Sequence, residues 1–226
     1  MPAAASLQMP ALPRPRLAGE RTAERILDAA EELFAERGYN GTTLRDVATR
    51  VGVRPPSLYN HFASKDALYA AVIERGVGPV IELLARSAAV PADQGSDPEK
   101  LVSDVMAILA QRPGLPRLVQ HETLAGGQRL TPILRSWIVP AFERAHELVA
   151  ATPAAGRWSP EQIPLLVLAM YHVVVGYFTF ASLYRDLGGD ELLGDAALEA
   201  QTRFLRELVG RLFGAGGDPD RLRGDR

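Results

Sequence analysis

The chain has 226 residues, 47% hydrophobic and 23% charged, the mix of a soluble globular protein with room for one or two domains. Its formal charge of −2 gives no overall sign of a polyanionic partner. The absence of cysteine excludes disulfides, thiolate nucleophiles and cysteine-ligated zinc, and fits a reducing cytoplasm.

Residues 1–19 are rich in Pro and Ala and have no period. Without a basic start or an unbroken apolar run they read as a flexible arm carrying Arg14 and Arg16, not as a secretion signal. From Glu20 to Arg37, Ile26, Leu27, Ala30, Leu33 and Phe34 recur with the helical period. Glu24, Arg25, Asp28, Glu31 and Glu32 fall mostly opposite, and Gly38 is a helix stop. A second helix is expected from Thr42 or Thr43, with Thr43-x-x-Asp46 as a capping box, Leu44, Val47, Ala48 and Val51 as its buried stripe, and Gly52 at its end.

A linker of about three residues, the spacing of a helix-turn-helix, leads to a third helix. Pro55 and Pro56 fit its first turn, where an N–H has no partner to lose. Leu58 and Phe62 face the core with Val53, which leaves Ser57, Tyr59, Asn60 and His61 without an apolar role. Ser64 caps a fourth helix starting at Lys65, with Ala67, Leu68, Ala71 and Val72 buried and Gly76 near its end. The stretch from Arg37 to Lys65 holds five basic residues (Arg37, Arg45, Arg50, Arg54 and Lys65) and one acid, Asp46, a local charge of about +4.

After a loop at 91–98, helices are expected near 97–111, 115–125, 131–151, 160–186 and 195–213. Strand signals are lacking, so the fold class is all-α. Residues 163–183 carry no formal charge and are long enough to span a bilayer. Their Pro164, His172, Gly176, Thr179 and Ser182, and the symmetric flanks Arg157 and Arg185, favour a buried core helix instead. The neighbouring amphipathic stripes, Leu101, Val102, Val105, Met106 and Leu109, and Leu198, Leu205, Leu208 and Leu212, need such a partner. The last stripe also suits packing of 195–213, with 160–186, against the same helices of a second copy, as a homodimer.

No enzyme motif is present. His121-Glu122 and His146-Glu147 begin like a zinc-protease HExxH, but Ala125 and Ala150 stand where the second histidine belongs. No metal, cofactor or catalytic residue is expected.

A helix-turn-helix lays its second helix in the DNA major groove. In that reading Arg54 meets a phosphate or a guanine, Pro55 and Pro56 offer apolar surface to thymine methyls, and Ser57 contacts a base or phosphate. Tyr59, Asn60 and His61 suit phosphates, and Thr43 and Lys65 stand at helix N-termini that favour an anion.

Across residues 21–69 there follow in order Ile26-Leu27-x-Ala29-Ala30, Leu33-Phe34, Gly38-Tyr39, Thr42-Thr43-Leu44, Val47-Ala48, Val51-Gly52-Val53, Leu58-Tyr59-x-His61-Phe62, and Lys65 with Leu68. This stretch resembles the N-terminal DNA-binding domain of TetR-family transcriptional regulators. The family commonly has Ser or Thr where Arg54 stands, so the cap of the third helix is expected to be missing.

The resemblance implies a DNA-binding domain over 20–75, joined by the fourth helix to a helical effector-binding and dimerisation domain over 76–214, with a tail at 215–226. It further implies a repressor that a small molecule releases from a palindromic operator. Mostly apolar walls suggest an apolar or aromatic effector, with Trp137, Phe142, Tyr171, His172, Tyr177 and Phe178 as candidate lining and His121, Glu122 and Arg117 as polar contacts. The alternatives are a regulator anchored in a membrane by 163–183, and a small-molecule carrier or enzyme that does not bind DNA.

Overall fold

The computed structural model describes residues 15–88, 97–127 and 156–213, together with 147, 149 and 152. Among them are eight helices and no strand: α1 Pro15–Arg37, α2 Leu44–Val51, α3 Pro55–Tyr59, α4 Lys65–Ala88, α5 Pro98–Ala110, α6 Gly114–Leu124, α7 Gln162–Asp186 and α8 Asp195–Phe213. All of the expected helix at 131–151 except residues 147 and 149, the tail at 215–226 and most of the loop at 91–98 lie outside the described residues.

Helices α2, α3 and α4 close around α1. Ile26, Ala30, Leu33 and Phe34 of α1 share one core with Val47, Ala48 and Val51 of α2, Leu58 of α3, and Leu68, Tyr69, Val72 and Ile73 of α4. The helical spacing of these apolar residues places them on the inner faces. Helix α1 begins at Pro15, five residues before the expected start at Glu20. In α4, Ala67 is exposed where burial was expected, and Tyr69 and Ile73 are buried instead.

Helix α4 does not stop near Gly76. It continues through Gly78 and Pro79 to Ala88, so the expected division after residue 75 falls inside one helix. Packing is the reason. Val77, Ile81 and Leu83 are buried beyond the glycine. Gly76 itself is buried against α6: a Cβ there would stand 2.5 Å from Leu115 Cδ1, closer than atoms can approach. The glycine therefore serves a close helix crossing, not a helix end.

Residues 163–183 are not the buried centre that their composition suggested. Only 17% of the most apolar window of α7 is buried within the chain. Ile163, Val174, Phe178 and Ala181 face inward, whereas Leu165, Leu168, Phe180, Leu183 and Tyr184 are exposed. The stripes of α5 and α8 were expected to pack around α7. They pack on each other, burying Val102, Met106 and Leu109 with Leu205 and Val209. The leucine stripe of α8 is thus largely consumed within the subunit, and Phe204 is its large exposed apolar residue.

Two polar contacts tie the N-terminal helices to those that follow. Glu31, expected to point outward, is only 9% exposed and accepts hydrogen bonds from Arg75 Nη2 at 2.9 Å and Arg112 Nη1 at 2.7 Å. Arg75 also reaches Asp28 at 2.8 Å and Glu24 at 3.0 Å. Burial works against its charged form, and these carboxylates outweigh that, so its pKa lies above the ordinary arginine value. In α6, buried Glu122 accepts a hydrogen bond from Tyr69 Oη at 2.9 Å.

Candidate nucleic-acid interface

The turn between α2 and α3 is built from local chemistry. Thr43 is the N-cap of α2, with its backbone extended and its hydroxyl accepting from Asp46 N at 3.1 Å. The Asp46 carboxylate accepts in return from Thr43 N at 2.8 Å and from the Thr43 hydroxyl at 2.6 Å. The hydrogen bonds from Thr43 hold the Asp46 pKa below its ordinary value. At the other end Gly52 takes a left-handed φ of 75°, and its N–H closes on Ala48 and Thr49 carbonyls. Only glycine adopts that conformation without cost. Val53 N bonds Ala48 O at 2.9 Å, and Arg25 of α1 donates to Val51 O at 2.7 Å, which satisfies another carbonyl of the last turn.

Arg54 is the N-cap of α3 and its side chain makes no cap hydrogen bond, as its replacement of the expected Ser or Thr implies. Pro55 and Pro56 occupy the first two positions, so one of the N–H groups a cap side chain would serve, at the second position, does not exist. The helix is short, ending at Tyr59, and the chain continues through turn bonds from His61 N and Phe62 N to Leu58 O. Leu58 is fully buried, with Val53 and Phe62 packed against the same core. These three anchor the segment. Arg54, Pro55, Pro56, Tyr59 and Asn60 are exposed, and Ser57 and His61 half-exposed. Ser64 Oγ accepts from Ala67 N at 3.0 Å and so starts α4. Lys65 Nζ lies 4.0 Å from the centroid of the Tyr39 ring.

Two predicted or counted groups have other work. The Thr43 hydroxyl proton goes to Asp46, so that side chain first serves the start of α2. Arg50 is paired with Glu32 at 2.8 Å and Glu36 at 3.9 Å, which turns its charge toward α1. Arg45 is exposed on α2; sequence reasoning counted it in the basic stretch but gave it no contact. Tyr39 enters the sequence reading only through a motif, because no periodicity marks its polar partners Lys65 and Asp66, which belong to α4.

The predicted effector residues that lie among the described residues have varied surroundings. Trp137 and Phe142 lie outside them. His121 is exposed at the seam of α6 and the end of α1, its Nδ1 4.0 Å from where a Cβ on Gly38 would stand. Glu122 is committed to Tyr69. His172 is exposed, with Nδ1 2.8 Å from Leu168 O, and half-buried Tyr171 meets it edge-on. The Tyr177 hydroxyl donates to Leu192 O, and burial raises its pKa; Phe178 is core. An open groove of about 470 Å³ lies elsewhere, lined by Glu99, Arg203, Arg206, Glu207, Gly210 and Arg211.

Residues 26–72 match the family model described as bacterial regulatory proteins, tetR family. Over 66 residues the chain is 41% identical to the HTH-type transcriptional activator FasR of Mycolicibacterium smegmatis, covering 29% of this chain and 30% of that protein. Over 64 residues it is 38% identical to the biofilm operon icaADBC HTH-type negative transcriptional regulator IcaR of Staphylococcus epidermidis, covering 28% and 35%. The matches thus span about a third of each relative's own length. Among solved structures, Mycobacterium smegmatis AmtR aligns with a TM-score of 0.63 at 27% identity, covering 93% of this chain and 94% of that one. The capped α2, the glycine turn and the anchored α3 all lie within the stretch that matches, and over that stretch the chain is similar to the tetR family of bacterial regulatory proteins.

Proposed function

We propose that this protein is a dimeric, sequence-specific DNA-binding transcriptional regulator of the cytoplasm, released from a palindromic operator by a small apolar or aromatic effector. The observation that carries the reading is the division of labour in α3. Leu58 is sealed in the core while Arg54, Pro55, Pro56, Tyr59 and Asn60 on either side of it in sequence stand exposed. A helix this short has little stability of its own, so its outward side chains are free to serve a partner. With α3 in the major groove, Arg54 is placed at its N-terminal edge, where such helices read bases. The amides at the starts of α2 and α4 suit phosphates.

The exposed face of α7 supports association with a second copy. Leu165, Leu168, Phe180 and Leu183 on α7 and Phe204 on α8 are large apolar side chains left exposed, the kind of surface a partner covers. A bilayer-spanning helix would meet lipid or other spanning helices, whereas α7 buries its opposite side on soluble neighbours such as α6. Two copies would present two α3 helices to successive major grooves about 34 Å apart. An effector that favours another spacing weakens DNA binding by the factor with which DNA weakens effector binding. The relatives include an activator and a negative regulator, so release of a repressor is the family-based part of the proposal.

The test is selection of bound sites from random DNA by the purified protein, with the association state measured in parallel by sedimentation. Enrichment of one palindrome by a dimer is expected. No enrichment over input, or one-to-one binding of a half-site by a monomer, overturns the reading.

A further inference from the structure

We infer that Tyr39 is a positioning residue for the phosphate contact at the start of α4, an inference that rests on the DNA-binding reading above. Tyr39 lies in the connection between α1 and α2, half-buried. Its ring meets Tyr69 edge-on at 5.0 Å and stacks with Phe34 at 6.2 Å, and both of those rings are core. Its orientation is therefore set by packing. On this held ring sits the Lys65 ammonium, 4.0 Å from the centroid, while the phenol donates to Asp66 Oδ1 at 2.6 Å. One side chain of the α1–α2 connection thus grips two consecutive residues in the first turn of α4.

The chemistry follows from what each partner would otherwise do. A lysine ammonium on a flexible four-carbon stem loses side-chain entropy when it is fixed on a phosphate. A cation–π contact restrains where that charge stands and lowers this entropic cost. The Asp66 carboxylate, one residue from a phosphate contact, would repel DNA if it swung toward the strand. Its bond to Tyr39 draws it aside. Tyr39 touches no DNA in this arrangement; it orients a cation and restrains an anion.

The test is a double-mutant cycle on the full chain, with binding to its selected operator followed by fluorescence anisotropy across a salt series. Lys65→Met should lower the slope of log affinity against log salt by about 0.9 per subunit, one released counterion. Tyr39→Leu should weaken binding several-fold and shrink the slope in the same direction. Adding Tyr39→Leu to Lys65→Met should cost clearly less than Tyr39→Leu does alone, the remainder being the release of Asp66. Tyr39→Phe, which keeps the ring beneath the ammonium, should retain the salt slope. Circular dichroism checks folding, and Tyr39→Met, which fills more of the space, replaces Tyr39→Leu if the latter does not fold. Independent, multiplying costs of the Tyr39 and Lys65 changes, or a wild-type slope in the Tyr39→Leu protein, overturn the inference while leaving DNA binding intact. A wild-type protein that selects no DNA overturns the underlying reading and this inference together.

Discussion

Glu31 and Arg112 stand 81 residues apart in sequence and meet at 2.7 Å, joining the middle of α1 to the turn between α5 and α6. The same carboxylate oxygen takes Arg75 of α4 at 2.9 Å, so three segments share one acid. Glu31 and Arg75 are mostly buried, with side-chain exposures of 11% and 15%. Buried charges are costly unless paired, and removing one partner is worse than never having had the pair.

Glu31→Gln should therefore destabilise the protein by about 2 kcal/mol, below the usual cost of breaking a buried pair because Asp28 and Glu24 still hold Arg75. Urea unfolding measures it. A change within about 0.5 kcal/mol would mean the contact carries no net stability, as for most surface pairs.

Gly76→Ala should cost about 1–3 kcal/mol, because the new methyl meets Leu115 Cδ1 at 2.5 Å in a packed seam. The clash involves a side chain, so Leu115→Val should recover part of the loss in the double mutant. Thermal unfolding of the two single mutants and the pair checks the sign of that coupling. Equal stability of Gly76→Ala and wild type would show that α6 shifts freely against α4.

Thr43→Ala should destabilise α2 by about 1 kcal/mol, the ordinary loss for an N-cap hydroxyl. The pH dependence comes from Asp46. Its folded pKa lies below the ordinary 3.8, so its contribution is present above that value and lost as pH falls through the lowered one. Asp46→Asn should flatten that acid limb of the thermal midpoint curve. An unchanged limb would place the acid sensitivity in other carboxylates.

Arg54→Ala should weaken operator binding about tenfold and broaden the selected sequence at one position in each half-site, the signature of lost base readout. Tyr59→Ala should lower affinity on all sequences alike, because phosphate contacts fix register without reading bases. Repeating the selection with each variant separates the two roles. A uniform loss with Arg54→Ala would assign that arginine to the backbone.

What the amino-acid order determined by itself was local. Thr43 with Asp46, Gly52, Pro55-Pro56 and Ser64 each act within one turn of the chain, so the helix starts and the stop they specify need no distant partner. The helical spacing of Ile26, Ala30, Leu33 and Phe34 placed a core for the same reason. The tertiary structure decided everything that depends on residues far along the chain. Gly76 reads as a helix end until Leu115 is seen against it, and Glu31 reads as an outward acid until Arg75 and Arg112 reach it. Apolar composition marked residues 163–183 as a helix to be covered, but burial is a property of neighbours. Because α5 and α8 satisfy each other, that helix keeps one side on the subunit and leaves the other exposed.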